Sequence, residues 1–360
     1  MPLIAETANP RFEQALLQRL QRPDEPPGSL GELEPVAVRL GLLQQSLKPR
    51  FSQPQLVIFA ADHGLAVDGI PVTRDRQTDE VALQLLAGKH PMAMFARQMG
   101  LTLSVVDCGL ANRVQPQDRL VQRKIAHGTR NARVSAAMSL EQAHAAIRAG
   151  MEIGDSLPGN LVACAGLGLG SHEAASLVLS QLGQVPLRDF IVSDQQMDEE
   201  SLAHLMIVLQ GAQGRHRQLT DPVEVLAAFG GFETAVMVGV MLVAASKRHL
   251  IMVDGIAACA ALLVASRIAE SVTDYCVFCR SQSHTGLDRA LALFQASALL
   301  ELGLNTLDGT GACLSWPLIR SAAELLSELD DEGDSHPAGF EAPVVRSLYD
   351  PHSPTLPGMP

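Results

Sequence analysis

The chain has 360 residues and a formal net charge of −12, from 27 basic and 39 acidic residues. That balance argues against a surface built to hold nucleic acid or an anionic membrane, while leaving room for a local pocket that takes a small anion. Hydrophobic residues make up 47% of the chain and charged residues 18%, the pattern of an Ala/Leu/Val-rich α/β protein with a large core, in one large domain with an appendage or two moderate ones.

In chain order, the N-terminus lacks a basic segment followed by an apolar stretch and a small-residue cleavage site, so a cytoplasmic protein is expected. Residues 11–22 and 31–48 read as helices. Between them Pro23 to Leu30 carries helix-breaking prolines, and Ser29 is placed to cap the second helix. Six short apolar runs follow, each stopping at a polar or glycine-bearing tip. They are Leu56 to Ala61 before Asp62-His63-Gly64, Leu101 to Val106 before Asp107, and Asn160 to Ala165 before a glycine run. The others are Asp189 to Val192 before Ser193-Asp194, Leu250 to Val253 before Asp254-Gly255, and Tyr275 to Cys279 before Arg280-Ser281. Helical sequence separates them. This alternation reads as an α/β fold, a six-stranded, mainly parallel sheet buried on both faces in a Rossmann-like three-layer arrangement, with ligands bound beyond the carboxyl ends of the strands.

Thr234 to Ala245 is the most apolar stretch, too short to span a bilayer, and reads as a buried helix. A further helical region is expected from about 290 to 330, around the loop Leu307 to Gly311, ahead of a Pro/Asp/Ser/Gly-rich tail. The expected organisation is a helical segment at 1–50 contributing to a small helical domain with part of the C-terminal region. A large α/β domain then covers 51–320, and a C-terminal helix and extended tail cover 321–360. The six cysteines sit mostly inside apolar runs and read as reduced, buried thiols. Cys276 and Cys279 have redox or zinc spacing, yet no second Cys/His pair matches them.

Several strand tips carry groups with chemical potential. The segment Ala163 to His172 joins a strand to a helix, and its glycines let backbone amides approach a phosphate, although tight strand–helix packing explains them as well. Asp308-Gly-Thr-Gly-Ala312 sets a carboxylate beside exposed amides, or is simply an Asp-Gly turn between helices. Asp62 and His63 can point into the crevice, with His63 alternatively a turn residue bonded to a carbonyl. Asp107 and Asp254 read as helix caps or catalysts. Arg280 and Ser281 can contact phosphate or carboxylate, and Arg280 can instead pair with an aspartate.

Four stretches together resemble the nicotinate-nucleotide–dimethylbenzimidazole phosphoribosyltransferase family. They are Pro26-Pro-Gly-Ser-Leu-Gly-Glu-Leu-Glu34, Phe59-Ala-Ala-Asp-His-Gly64, Asp221-Pro-Val-Glu-Val-Leu226 with Gly230-Gly-Phe-Glu233, and Gly128-Thr-Arg-Asn131 with Gly303-Leu304 through Gly309-Thr-Gly311. The order and spacing hold over roughly residues 26–320. The resemblance implies a large domain around a six-stranded parallel sheet, a small helical domain and a homodimer. It also implies a reaction in which dimethylbenzimidazole displaces nicotinate from nicotinate mononucleotide, giving the lower-ligand nucleotide of cobamides with no metal or other cofactor. The partners implied are small molecules, the mononucleotide and a benzimidazole-like base, with neither nucleic acid nor membrane.

The same resemblance places Asp308 where the family has its general-base glutamate. It sets Gly168, Gly170, Ser281, Gly309, Thr310 and Gly311 around the ribose phosphate, and Asp62, His63, Pro71 and Thr73 near the acceptor base. There are departures. The family's Gly-Glu-Met-Gly-Ile-Gly-Asn-Thr-Thr loop becomes Ala165-Gly-Leu-Gly-Leu-Gly-Ser-His-Glu173, with Gly166 at the acidic position, and an expected lysine falls near His204-Leu205. The glycine-rich turn after the next strand becomes Ser193-Asp-Gln-Gln-Met197, and Arg74 and Arg76 add charge beside Pro71 and Thr73. Two functions are therefore weighed: an active phosphoribosyltransferase, and a catalytically degenerate homologue acting as a nucleotide-binding regulator or partner subunit. A dinucleotide-dependent oxidoreductase has only fold analogy behind it.

Overall fold

The computed structural model describes residues 3–21, 26, 28–70, 77–191 and 197–327. Six strands form one sheet: β1 (Gln55–Ala61), β2 (Thr102–Gly109), β3 (Leu120–Gln122), β4 (Leu161–Leu167), β5 (Leu250–Asp254) and β6 (Cys276–Cys279). Their spatial order is β3-β2-β1-β4-β5-β6, and every neighbouring pair is parallel. All seven residues of β1 are buried, which is why it reads as a continuous apolar run rather than an alternating one. The order reverses between β1 and β4, so the crevice beyond their carboxyl ends is the place where this topology leaves room for a ligand.

Twelve α-helices surround the sheet among the described residues: α1 (Pro10–Leu20), α2 (Leu33–Gln44), α3 (Thr78–Leu86), α4 (Pro91–Gln98), α5 (Leu140–Ser156), α6 (Ser171–Gly183), α7 (Glu199–Arg215), α8 (Pro222–Phe229), α9 (Phe232–Ser246), α10 (Ile256–Ile268), α11 (Thr285–Ala292) and α12 (Thr310–Ser327). Consecutive side-chain positions on β4 show the layering, because strand residues alternate between faces. Ala165 turns toward Gly309 and Met92 of α4, whereas a side chain at Gly166 would meet Ala257 of α10 and Met237 of α9. Helices α5, α6, α8, α9 and α10 contact one another on the second face, while α12 packs on α1, α2 and α4 on the first. The helix α9 is buried from Phe232 to Ala245, and from Ala235 to Ala245 its sequence is apolar throughout. Among the described residues no helix is long and apolar enough to cross a membrane.

Local chemistry sets the ends of several elements. Ser139 and Gln142 form a reciprocal capping box at the start of α5. Asp221 accepts from the amides of Val223 (2.9 Å) and Glu224 (3.0 Å) ahead of Pro222, so the Asp-Pro-Val-Glu motif is the start of α8. In the proline-rich N-terminal motif the Glu34 carboxylate accepts from the amides of Gly28 (3.1 Å) and Leu30 (3.2 Å).

Four expectations are corrected. The apolar run at Asp189 to Val192 is not a strand within the described residues: Leu187–Phe190 is a 3₁₀ turn following Pro186, and Phe190 is buried there. The sixth strand is β3, a three-residue edge strand only partly buried, which therefore has no apolar run to announce it. Ser29 does not cap α2, which begins after Glu32 without a side-chain cap. The region after residue 292 is irregular until α12 begins at Thr310, with an isolated bridge from Asn305 back to Gln282. The C-terminal tail, together with Pro71, Thr73, Arg74, Arg76 and residues 192–196, lies outside the described residues. The six cysteines are free and buried, and burial pushes the thiols of Cys276 and Cys279 up, which keeps them protonated.

Candidate active site

The carboxyl edge of the sheet brings together three tips. After β1, the Asp62 carboxylate accepts from the Thr78 hydroxyl and from the Ala111 amide at 2.7 Å. Its backbone carbonyl accepts from the Thr129 amide, and the Thr129 hydroxyl accepts from the Gly64 amide. The Gly128-Thr-Arg-Asn131 motif thus splints the turn that follows β1, and Asn131 extends the splint to Asp68 at 2.8 Å. His63 is buried, with its Nε2 donating to the Glu233 carboxylate at 2.8 Å. The neighbouring-carbonyl alternative for His63 is replaced by this buried ion pair. Burial pulls the His63 pKa down, but the charge and hydrogen bond of Glu233, with smaller help from Asp62 and Glu173, leave it raised.

Glu233 also accepts from the Ser171 hydroxyl at 2.8 Å, while its Oε2 has no hydrogen-bond partner among the described residues. The Gly-Gly-Phe-Glu motif explains itself here. A Cβ on Gly231 would lie 2.0 Å from Glu233 Oε2 and 2.3 Å from His63 Cε1, so only glycine leaves room for the pair.

After β4, Gly168 has no room for a side chain, because a Cβ would fall 1.8 Å from the Ala61 carbonyl oxygen. Gly170, at φ 82°, turns the chain into the N-terminus of α6. The Gly166 position, where the family pattern has an acid, is filled from the other side: a Cβ there would sit 2.7 Å from the Ala257 Cβ.

After β5 and β6, Asp254 and Ser281 reach the turn that begins α12. Asp254 is fully buried, and its Oδ2 accepts from Ser281 Oγ (2.8 Å) and from the amides of Gly309 (2.9 Å) and Ala312 (2.8 Å). The Gly311 amide donates to Ser281 Oγ at 2.7 Å, and the Thr310 hydroxyl donates to the Leu307 carbonyl at 2.8 Å. The amides of Gly309 and Gly311 are therefore occupied by protein acceptors. Burial, and then the charge of Asp308, push Asp254 up to about 7. Asp254 does cap a helix, but it caps α12 from across the sheet and not the α10 that follows it.

Asp308 itself is 5% exposed. His172 Nε2 lies 3.3 Å from its Oδ2, and Gln282 Nε2 donates to its Oδ1 at 3.0 Å, so the β4 and α12 turns meet at this carboxylate. Arg280 pairs with Asp288 and with Glu301, the latter at 2.9 Å, which is the aspartate-pairing alternative. Asp107 accepts from the Leu110 amide at 3.0 Å and pairs with Lys124 at 3.2 Å, holding a turn rather than facing Asp308. His204 lies on α7 and bonds the Asp68 carbonyl at 2.7 Å, while Leu205 is buried.

His172 and Gln282 escaped the sequence reading. The only signal for His172 was that it stands where the family loop has threonine, and Gln282 carried none.

Topology and site define a Rossmann-like α/β protein in which a buried carboxylate meets a glycine turn and a helix N-terminus at the switch point of the sheet. A family model described as Phosphoribosyltransferase matches residues 5–335, and the chain belongs to that phosphoribosyltransferase family. Among its relatives, the nicotinate-nucleotide–dimethylbenzimidazole phosphoribosyltransferase of Cupriavidus taiwanensis is 40% identical over 308 residues, 85% of this chain and 89% of that protein. The enzyme of the same name from Dechloromonas aromatica is 39% identical over 324 residues, 88% and 93% of the two chains. The crystal structure of the nicotinate-nucleotide–dimethylbenzimidazole phosphoribosyltransferase from Thermus thermophilus matches with a TM-score of 0.81 at 29% identity, over 89% of this chain and 96% of that one.

Proposed function

We propose that the chain transfers the ribosyl phosphate of nicotinate mononucleotide to dimethylbenzimidazole or a related base, the activity its relatives are named for. The observation that carries the reading is Asp308 beside the turn formed by Gly168 and Gly170. A carboxylate that can receive a proton stands next to a helix N-terminus that can hold a phosphate. The acceptor nitrogen attacks the anomeric carbon of the ribose. The bond to the nicotinate nitrogen breaks with its electron pair returning to the pyridinium ring, and the acceptor loses its N–H proton to the enzyme. Asp308 is shorter than glutamate by one methylene, about 1.5 Å of reach, a displacement large enough to matter for proton transfer.

Within this proposal the donor phosphate rests at Gly168, Gly170 and the first turn of α6. Ser281, Gly309, Thr310 and Gly311 shape the pocket around Asp308 rather than gripping phosphate, because their polar groups are bonded to one another and to Asp254. Asp62 and His63 stand at the turn after β1, the acceptor side of the site, to which the resemblance also assigns Pro71 and Thr73. A cytoplasmic location and a homodimer complete the proposal, as does the organisation into a large α/β domain and a small helical one.

The test is nicotinate release from nicotinate mononucleotide in the presence of 5,6-dimethylbenzimidazole and a panel of other bases. Asp308→Asn is expected to lower kcat at least about 100-fold with the fold intact. Absence of nicotinate release by the folded wild-type protein with every base would overturn the reading.

A further inference from the structure

Resting on the reading above, we infer that His172 and Asp308 work as a dyad: the second ring nitrogen of His172, Nδ1, receives the acceptor's proton, and Asp308 holds the imidazole through Nε2. Four observations lead there. Asp308 is walled in, with His172 on one oxygen and Gln282 on the other, and it is only 5% exposed. The His172 side chain is 30% exposed against 3% for Asp308, so it is the more accessible part of the pair. Its Nδ1 has no hydrogen-bond partner among the described residues. Finally, aspartate is the shorter acid, and the imbalance is met on the same side of the site by a ring that extends from it. A lone carboxylate recessed by one methylene and covered by two donors is badly placed to touch a substrate nitrogen. An imidazole backed by that carboxylate is well placed, in the arrangement by which a buried aspartate orients a histidine base.

The surroundings stabilise the charge that the imidazole gains when it takes the proton. Asp308 and Glu173 face His172, and Asp254 lies beneath Asp308. Burial disfavours the imidazolium, but the hydrogen bond and charge of Asp308, then the charge of Glu173, leave the His172 pKa raised. The neighbouring ring, His284, is 6.0 Å away between centroids. Its Nδ1 accepts from the Leu287 amide at 3.1 Å, and burial followed by the charge of His172 brings it down to about 4. Arg280 and Asp288 act on His284 with opposite signs. His284 is thus a neutral neighbour that does not compete for the proton at neutral pH.

In the reaction the lone pair of one acceptor ring nitrogen forms the bond to the anomeric carbon. The nicotinate nitrogen leaves with its bonding pair, the N–H bond on the acceptor's other nitrogen breaks toward its ring, and the proton passes to His172 Nδ1. The imidazolium is paired with Asp308 until it releases the proton to solvent. Charge and atoms balance without any added reactant.

The experiment compares wild type, His172→Thr, and His172→Thr with Asp308→Glu, following nicotinate release with 5,6-dimethylbenzimidazole across about pH 5 to 9. His172→Thr is expected to lower kcat about 100-fold while leaving the KM for nicotinate mononucleotide unchanged, and adding Asp308→Glu is expected to recover activity to within about tenfold of wild type. The wild-type rate should fall on the acid side as the imidazole protonates in the free site, and the double variant should lack that limb. Titration of the His172 ring nitrogens by ¹⁵N NMR gives a readout independent of turnover: Asp308→Asn should lower its midpoint. If wild type turns over and His172→Thr keeps kcat within about threefold, the dyad is wrong while the phosphoribosyl transfer stands. A wild type that releases no nicotinate with any base overturns both, and an unshifted NMR midpoint in Asp308→Asn overturns the dyad alone.

Discussion

Replacing Asp254 tests whether this buried acid is the clamp that forms the active-site turn. Three donors converge on its Oδ2, from Ser281, Gly309 and Ala312, at 2.8 to 2.9 Å, and its Oδ1 has no hydrogen-bond partner among the described residues. Asp254→Ala leaves all three donors buried without an acceptor. At roughly 1–3 kcal/mol each, with some relaxation, the loss should be about 4 kcal/mol. Asp254→Asn keeps one carbonyl oxygen for the three donors and should lose less than about half as much. A second signature follows from the raised pKa, about 7 against an ordinary 3.8. Between those values the folded protein binds more protons at this site than the unfolded chain, so this site's contribution to stability falls as pH rises through the window, by at most about 1.4 kcal/mol per pH unit. Above the window it is level. Asn removes that slope, so its deficit against wild type should shrink from pH 5 to pH 8. Urea unfolding followed by circular dichroism at those two pH values measures both effects. Equal losses for Ala and Asn, or an Ala loss below about 1.5 kcal/mol, would refute the clamp.

The remaining predictions concern the other two tips. Glu233→Gln should cost about 3 kcal/mol near pH 6, where the buried His63–Glu233 pair is charged. Because the His63 pKa is raised, this stabilisation is complete below the unfolded value near 6.5 and is lost as pH climbs through the folded value, so the deficit should narrow above neutrality. A deficit that does not change with pH would argue against a charged pair. Gly168→Ala should destabilise by about 3 kcal/mol or more, because its Cβ would meet the Ala61 carbonyl. Gly214→Ala, in α7 with nothing within 4 Å, should instead stabilise by about 0.5 kcal/mol. Melting curves of the two variants check both directions.

Strands buried on both faces were easy to find, since apolar residues fill all but their ends, and β1, β4, β5 and β6 all fall where continuous runs predict. The half-exposed β3 and the 3₁₀ turn at Leu187–Phe190 were not, because the first needs only a neighbour's edge and the second buries apolar side chains without being a strand. The cap read from the sequence, Ser29, does not form; Asp221 caps α8 two and three residues from the amides it serves, and Asp254 caps α12 from across the sheet.

The glycine turns and the acid at 308 were visible because they depend on backbone geometry and on one residue type at one position. How their polar groups would be used was not. Whether the Gly309 amide faces a ligand or Asp254 depends on residues 55 positions apart meeting across the sheet, and the His172–Asp308 contact spans 136. The layered α/β class and the parallel sheet are written along the chain, since burial and helix-breaking act within a few residues. Which carboxylate is covered, which is clamped and which imidazole meets Asp308 emerged with the fold. Charge, hydrogen bonding and exposure act between atoms that only the folded chain brings within a few ångströms.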